Sequence, residues 1–101
     1  LNSEQRKYLH MSAVIACNFS NLMYILADEI CQKNDIPFKL LKPLIKETAN
    51  KIQNINPIDA QTGPAIRKDL STIERHLNYL NIDLEKKEIY QKLTKSILKR
   101  S

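Results

Sequence analysis

The 101-residue chain is 43% hydrophobic, enough for a packed core and too much for a disordered sequence. Its single glycine, Gly63, excludes both the dinucleotide-binding fingerprint and the P-loop, because each needs at least two. The net charge of +5 admits an anionic partner. The lysines are scattered over several elements, however, and the aromatics do not interleave with them, so solvated helix faces are expected and a nucleic-acid partner is not.

The first element is a helix from about Ser3 to about Lys33, with Ser3 as N-cap and Asn34, Asp35 and Pro37 as its end. No Pro or Gly interrupts it. Such a helix is about 45 Å long, whereas a globule of this size has a radius of gyration of about 13 Å. Between Met11 and Ala27 it is apolar nearly all round, the mark of a buried helix. A membrane span is the alternative, but Ser12, Asn18, Ser20 and Asn21 interrupt a stretch already short for a bilayer. A second copy of the chain is the natural cover, so a homodimer through this helix is expected and a membrane is not. Cys17 and Cys31 lie fourteen residues apart on it. That is about 21 Å, against the 7 Å or so a disulfide tolerates. Two free thiols suggest a reducing, cytoplasmic setting.

A second helix is expected over roughly Phe38 to Asn54, with Leu41, Leu44, Ile45, Thr48 and Ile52 inward and Pro43 in its first turn. The segment Asn54 to Leu70 contains Pro57, Gly63 and Pro64 and reads as a structured loop. A third helix begins either at Pro64 or with Ser71 as cap and Glu74 closing a capping box, and runs to about Leu80. A fourth runs from about Leu84 to Lys99, with Leu84, Tyr90, Leu93, Ile97 and Leu98 inward. The expectation is one all-α, four-helix domain over residues 1–101 with a long N-terminal helix at its centre.

Three places could carry chemistry. On a uniform helical wheel His10, Cys17, Asn21 and Asp28 share a narrow sector of the first helix, with Asn18 beside it. These polar groups either position a substrate or satisfy one another across helix packing. The run Gln61 to Asp69 joins the only glycine to Thr62, Pro64, Arg67 and Lys68. A helix starting at Pro64 would offer an anion site beside Arg67; otherwise the run is a helix-entry turn. His76 and Asp69 project near each other on the third helix, either as a proton-transfer pair or as a border histidine holding the loop. Metal binding is not expected, since no CxxC or HxxxH spacing occurs.

The stretch Gln61 to Leu77 resembles the signature of the helical domain that follows a Rossmann-like domain in NADP oxidoreductases of unassigned substrate. The pattern is Thr-Gly-Pro, then Arg-Gly-Asp, a Thr and His-Leu. Here it stands as Thr62-Gly63-Pro64, Arg67-Lys68-Asp69, Thr72 and His76-Leu77. Ala13 to Ile30 and Leu40 to Ile52 are similar to the family as well. The resemblance implies a fold like the C-terminal domains of the phosphogluconate dehydrogenase superfamily and pyrroline-carboxylate reductase. It implies dimerisation, and NADP bound by an N-terminal Rossmann domain upstream of these residues. It implies that Asn18, Thr62, Gly63, Arg67, Asp69 and His76 line or brace the substrate side of that cofactor; with Asn21 from the polar stripe these are the candidate substrate-binding residues, and His76 and Asn18 are the candidate catalytic groups. Lys68 replaces the family's usual glycine and leaves the local geometry open.

Overall fold

The computed structural model describes residues 1–101 and is helical throughout, with no strand, as the all-α expectation requires. Five helices are present: α1 (Ser3–Lys33), α2 (Lys42–Asn54), the short α3 (Pro57–Ala60), α4 (Leu70–Tyr79) and α5 (Leu84–Lys99). The chain divides into two compact units, Leu1–Lys46 and Glu47–Ser101, and the division falls inside α2.

In the first unit α1 has the expected length, but its cap is one residue earlier than expected. Asn2 Oδ1 accepts from Gln5 N at 2.8 Å, and Gln5 Oε1 accepts from Asn2 N at 3.0 Å. This reciprocal capping box satisfies two orphan donors, and Ser3 becomes the first helical residue. The helix is not uniform. Val14–Asn18 forms a π turn in which Phe19 N–H reaches back five residues to Val14 O. Ser12 Oγ donates to Tyr8 O and Ser20 Oγ to Ala16 O, both at 2.7 Å. These hydroxyls are satisfied within the helix and leave its side chains free to pack.

The far end of α1 closes by a Schellman motif. Ile36 N donates to Cys31 O and Asp35 N to Gln32 O, with Asp35 left-handed at φ 55°. The 3-10 turn Phe38–Leu41 then packs back on Phe19–Lys33. Leu26 and Cys31 are the buried apolar side chains of this unit. The apolar residues nearer the start of α1 are not covered by this chain: Ile15 is exposed by 57% and Phe19 by 54%. Both cysteines are free, as their spacing along one helix requires.

In the second unit α4 and α5 pack together through the 3-10 turn Leu80–Ile82, and Ala65 and Ile73 are buried. Asp83 caps α5, accepting from Lys86 N at 3.3 Å and from Lys86 Nζ at 2.7 Å. Of the five side chains expected inward on α5, Tyr90, Ile97 and Leu98 are half-buried, whereas Leu84 and Leu93 stay exposed. On α2 Leu44, Thr48 and Ile52 are likewise exposed. The helical periodicity is correct there, but few residues of the chain lie over these faces.

Candidate functional site

The run from Thr62 to Asp69 is a compact structure with its own logic. Gly63 has φ 105°, a region costly for any side chain, and a Cβ there would meet nothing within 4 Å. Backbone freedom, not close packing, calls for glycine at this point. Pro64–Arg67 makes a single helical turn that also ends in a Schellman motif. Asp69 N donates to Pro64 O at 2.9 Å and Lys68 N to Ala65 O at 3.0 Å. Lys68 occupies the left-handed position at φ 55°, the usual place of glycine in this motif. The glycine expected from the family resemblance thus has a conformational reason.

The third helix begins at neither expected start. Asp69 is the cap of α4, with Oδ1 accepting from Thr72 N at 3.2 Å and Oδ2 from the Thr72 hydroxyl at 2.7 Å. Ser71, the expected cap, instead donates its hydroxyl to Asp69 Oδ1. These bonds from Thr72, hydroxyl first and amide second, hold the Asp69 carboxyl below its ordinary value, with a smaller contribution from Arg67. The anion site expected at a helix starting from Pro64 is not formed. Pro64–Arg67 is a lone turn closed at its C-terminal end by the Lys68 and Asp69 amides, and the helix that follows begins at Leu70 behind a carboxylate cap. Arg67 itself is exposed.

His76 does not pair with Asp69. Its Nδ1 lies 2.8 Å from Tyr90 Oη, across the contact between α4 and α5. The two rings meet edge to face, with centroids 5.7 Å apart, and Tyr79 lies 6.3 Å away. Burial raises the Tyr90 phenol above its ordinary value.

The same unit contains an open cleft of about 540 Å³ whose apolar lining includes Ile58, Ile66, Leu93 and Ile97, with Gln61, Ser96 and Arg100 as polar members. It takes in two residues of the signature stretch, but neither Arg67 nor His76 lines it.

Asn18 and Asn21 belong to the first unit, where both are exposed. Asn18 ends the π turn. That turn adds one residue to a turn of helix, so everything after it is rotated by about 100° from a uniform wheel. The expected stripe of His10, Cys17, Asn21 and Asp28 is therefore broken. Asn21 and Asp28 keep a common face, and His10 leaves it. Asp28 accepts from Gln32 on its own helix at 3.0 Å. The expected site residues thus fall into two groups, the asparagines in one unit and Thr62, Gly63, Arg67, Asp69 and His76 in the other.

Two features escaped the sequence. The π turn left no proline, glycine or composition signal. Tyr90 was legible as an inward residue, but nothing in the spacing joined it to His76.

No curated protein matches the chain. A crystal structure from Bacteroides fragilis, described as a "putative NADP oxidoreductase", is similar over 100% of this chain, with 48% identity and a TM-score of 0.97. The chain spans 39% of that protein's length. Residues 1–97 match the model of a family described as a domain of unknown function, DUF2520. The chain belongs to that family.

Proposed function

We propose that this chain is the C-terminal helical domain of an NADP-dependent oxidoreductase, in which it forms a homodimer through α1 and walls the substrate side of a cofactor held by an N-terminal Rossmann domain. The observation that carries this is the likeness over the whole of this chain, at 48% identity, to 39% of a protein described as a "putative NADP oxidoreductase". Two features of this chain support it. The lone glycine leaves no phosphate-cradling loop here, so the dinucleotide must be held elsewhere. The exposed apolar length of α1, with Ile15 and Phe19 uncovered by this chain, offers a face for a second copy.

The reaction is hydride transfer between NADP(H) and a small carbonyl or imine compound. The cofactor supplies the hydride chemistry, and this domain positions and polarises the substrate. Arg67, exposed and with its guanidinium uncommitted by a hydrogen bond within the chain, holds a substrate anion. Asn18 and Asn21 donate hydrogen bonds to the substrate, and His76 transfers a proton. Thr62, Gly63 and Asp69 shape the loop that presents Arg67. The cysteines, both unpaired, fit a cytoplasmic setting.

A purely structural dimerisation module is the second reading. It is favoured by the loop itself, whose amides and Asp69 carboxylate serve to hold its own fold.

Titration with NADPH separates the parts. The full-length protein binds it, and this chain alone does not. In the full-length protein, NADPH consumption across a panel of small ketones and imines falls at least tenfold in Arg67→Ala. Unchanged turnover in that variant removes Arg67 from the reaction and leaves the structural reading standing.

A further inference from the structure

We propose that Tyr90 is a positioning residue that keeps the ring hydrogen of His76 on Nε2, so that His76 meets its partner as a neutral hydrogen-bond donor. The inference rests on the reading of His76 as a reacting group, and it narrows that role from proton transfer to hydrogen-bond donation through Nε2.

His76 on α4 and Tyr90 on α5 are fourteen residues apart, and Nδ1 and Oη are 2.8 Å apart. The Tyr90 ring stands at 89° to the imidazole, and the Tyr79 ring lies at 38° to it. The imidazole is thus held by one hydrogen bond and two aromatic neighbours, and Nδ1 is the nitrogen turned toward the helix contact. A neutral imidazole has one donor and one acceptor nitrogen, and its partners decide which is which.

Half-buried Tyr90 remains protonated across the physiological range, because burial disfavours its anion. Its hydroxyl hydrogen needs an acceptor, and the acceptor the chain places in reach is His76 Nδ1. If Nδ1 carried the ring hydrogen, the phenol would accept and its own hydrogen would be left without a protein acceptor. The consistent assignment has Tyr90 Oη–H donating to Nδ1 and the ring hydrogen on Nε2. A neutral Nε2–H donates a hydrogen bond to a carbonyl oxygen or an imine nitrogen. It is a group suited to polarising the bond that receives hydride, and it does not take a proton at that nitrogen.

The test is tautomer-resolved nitrogen-15 NMR of the labelled chain, at a pH well above the ordinary imidazole range. His10, exposed on α1, serves as the internal reference. The Nε2–H to Nδ1–H ratio at His76 is expected to exceed that at His10 about fivefold, the bias of one net hydrogen bond. Tyr90→Phe keeps the ring and removes the hydroxyl, and it should return the ratio to that of His10. Three results would overturn the proposal: a dominant Nδ1–H form at His76, a ratio equal to that of His10, or a bias that survives Tyr90→Phe. The wild-type measurement decides the matter even if that variant does not fold.

Failure of the underlying reading shows itself separately. Normal NADPH-dependent turnover in full-length His76→Gln removes His76 from the reaction while Tyr90's hold on the tautomer stands. Lost turnover in that variant, without a tautomer bias, upholds His76 and overturns the role of Tyr90.

Discussion

Lys68 stands where glycine is the comfortable residue. At φ 55° an L side chain is strained by about 1–2 kcal/mol, whereas glycine is strained little but has more chain entropy to lose on folding. Lys68→Gly should therefore stabilise the chain by about 0.5–1 kcal/mol, read as a higher urea midpoint at unchanged slope. An unchanged or lower midpoint would show that the lysine compensates by other means. Asp69 makes a prediction on the acid side. Its folded value lies below the ordinary 3.8, chiefly through the Thr72 hydroxyl. The stability it contributes is present above the ordinary value and is lost as pH falls through the lowered one. Asp69→Asn retains a competent cap, so stability at neutral pH should change little, while the acid-side slope becomes shallower. An unaltered slope would mean that the carboxylate is equally well stabilised when the chain is unfolded.

Caps and turns decide where these helices begin and end. Asp83 both caps α5 and faces Lys86, whose side chain is only 10% exposed. Asp83→Ala should cost about 2 kcal/mol, more than an ordinary cap, because a largely buried ammonium loses its carboxylate. Lys86→Met together with Asp83→Asn should recover most of that loss in thermal unfolding. In α1, deleting one residue from Val14–Asn18 restores an ordinary α-helix and turns the two halves by about 100° relative to each other. Helicity by circular dichroism should stay the same while self-association weakens.

The extent of α1 and of α5 was legible in the sequence, because a long periodic run without Pro or Gly admits little else. The start of α4 was not. Pro64, Ser71 and Asp69 are all competent first-turn residues, and the choice among them turned on a left-handed lysine that propensity disfavours. The candidate site was legible as a set of residue types, and less so as an arrangement. The His76–Tyr90 bond depends on how α4 and α5 meet, and the wheel that grouped His10 with Asn21 assumed a helix without a π turn.

At the scale of the molecule, a chain with 43% hydrophobic residues leaves only Leu26, Cys31, Ala65 and Ile73 as its buried apolar side chains. Covering apolar surface is worth about 25 cal/mol per Å², so the uncovered apolar residues favour an assembly that buries them. α1 presents the longest part of that surface. By length and composition it could also cross a membrane. Its asparagines argue for protein cover, since amides there find partners that acyl chains lack. The central claim is that α1 is completed by a second copy of the chain. Sedimentation equilibrium tests it most directly. The account predicts twice the 11.7 kDa chain mass for the native sequence. It predicts the single-chain mass, with helicity retained, for the double variant Ile15→Glu and Phe19→Glu. A native chain that sediments at the single-chain mass across the accessible concentration range would contradict it.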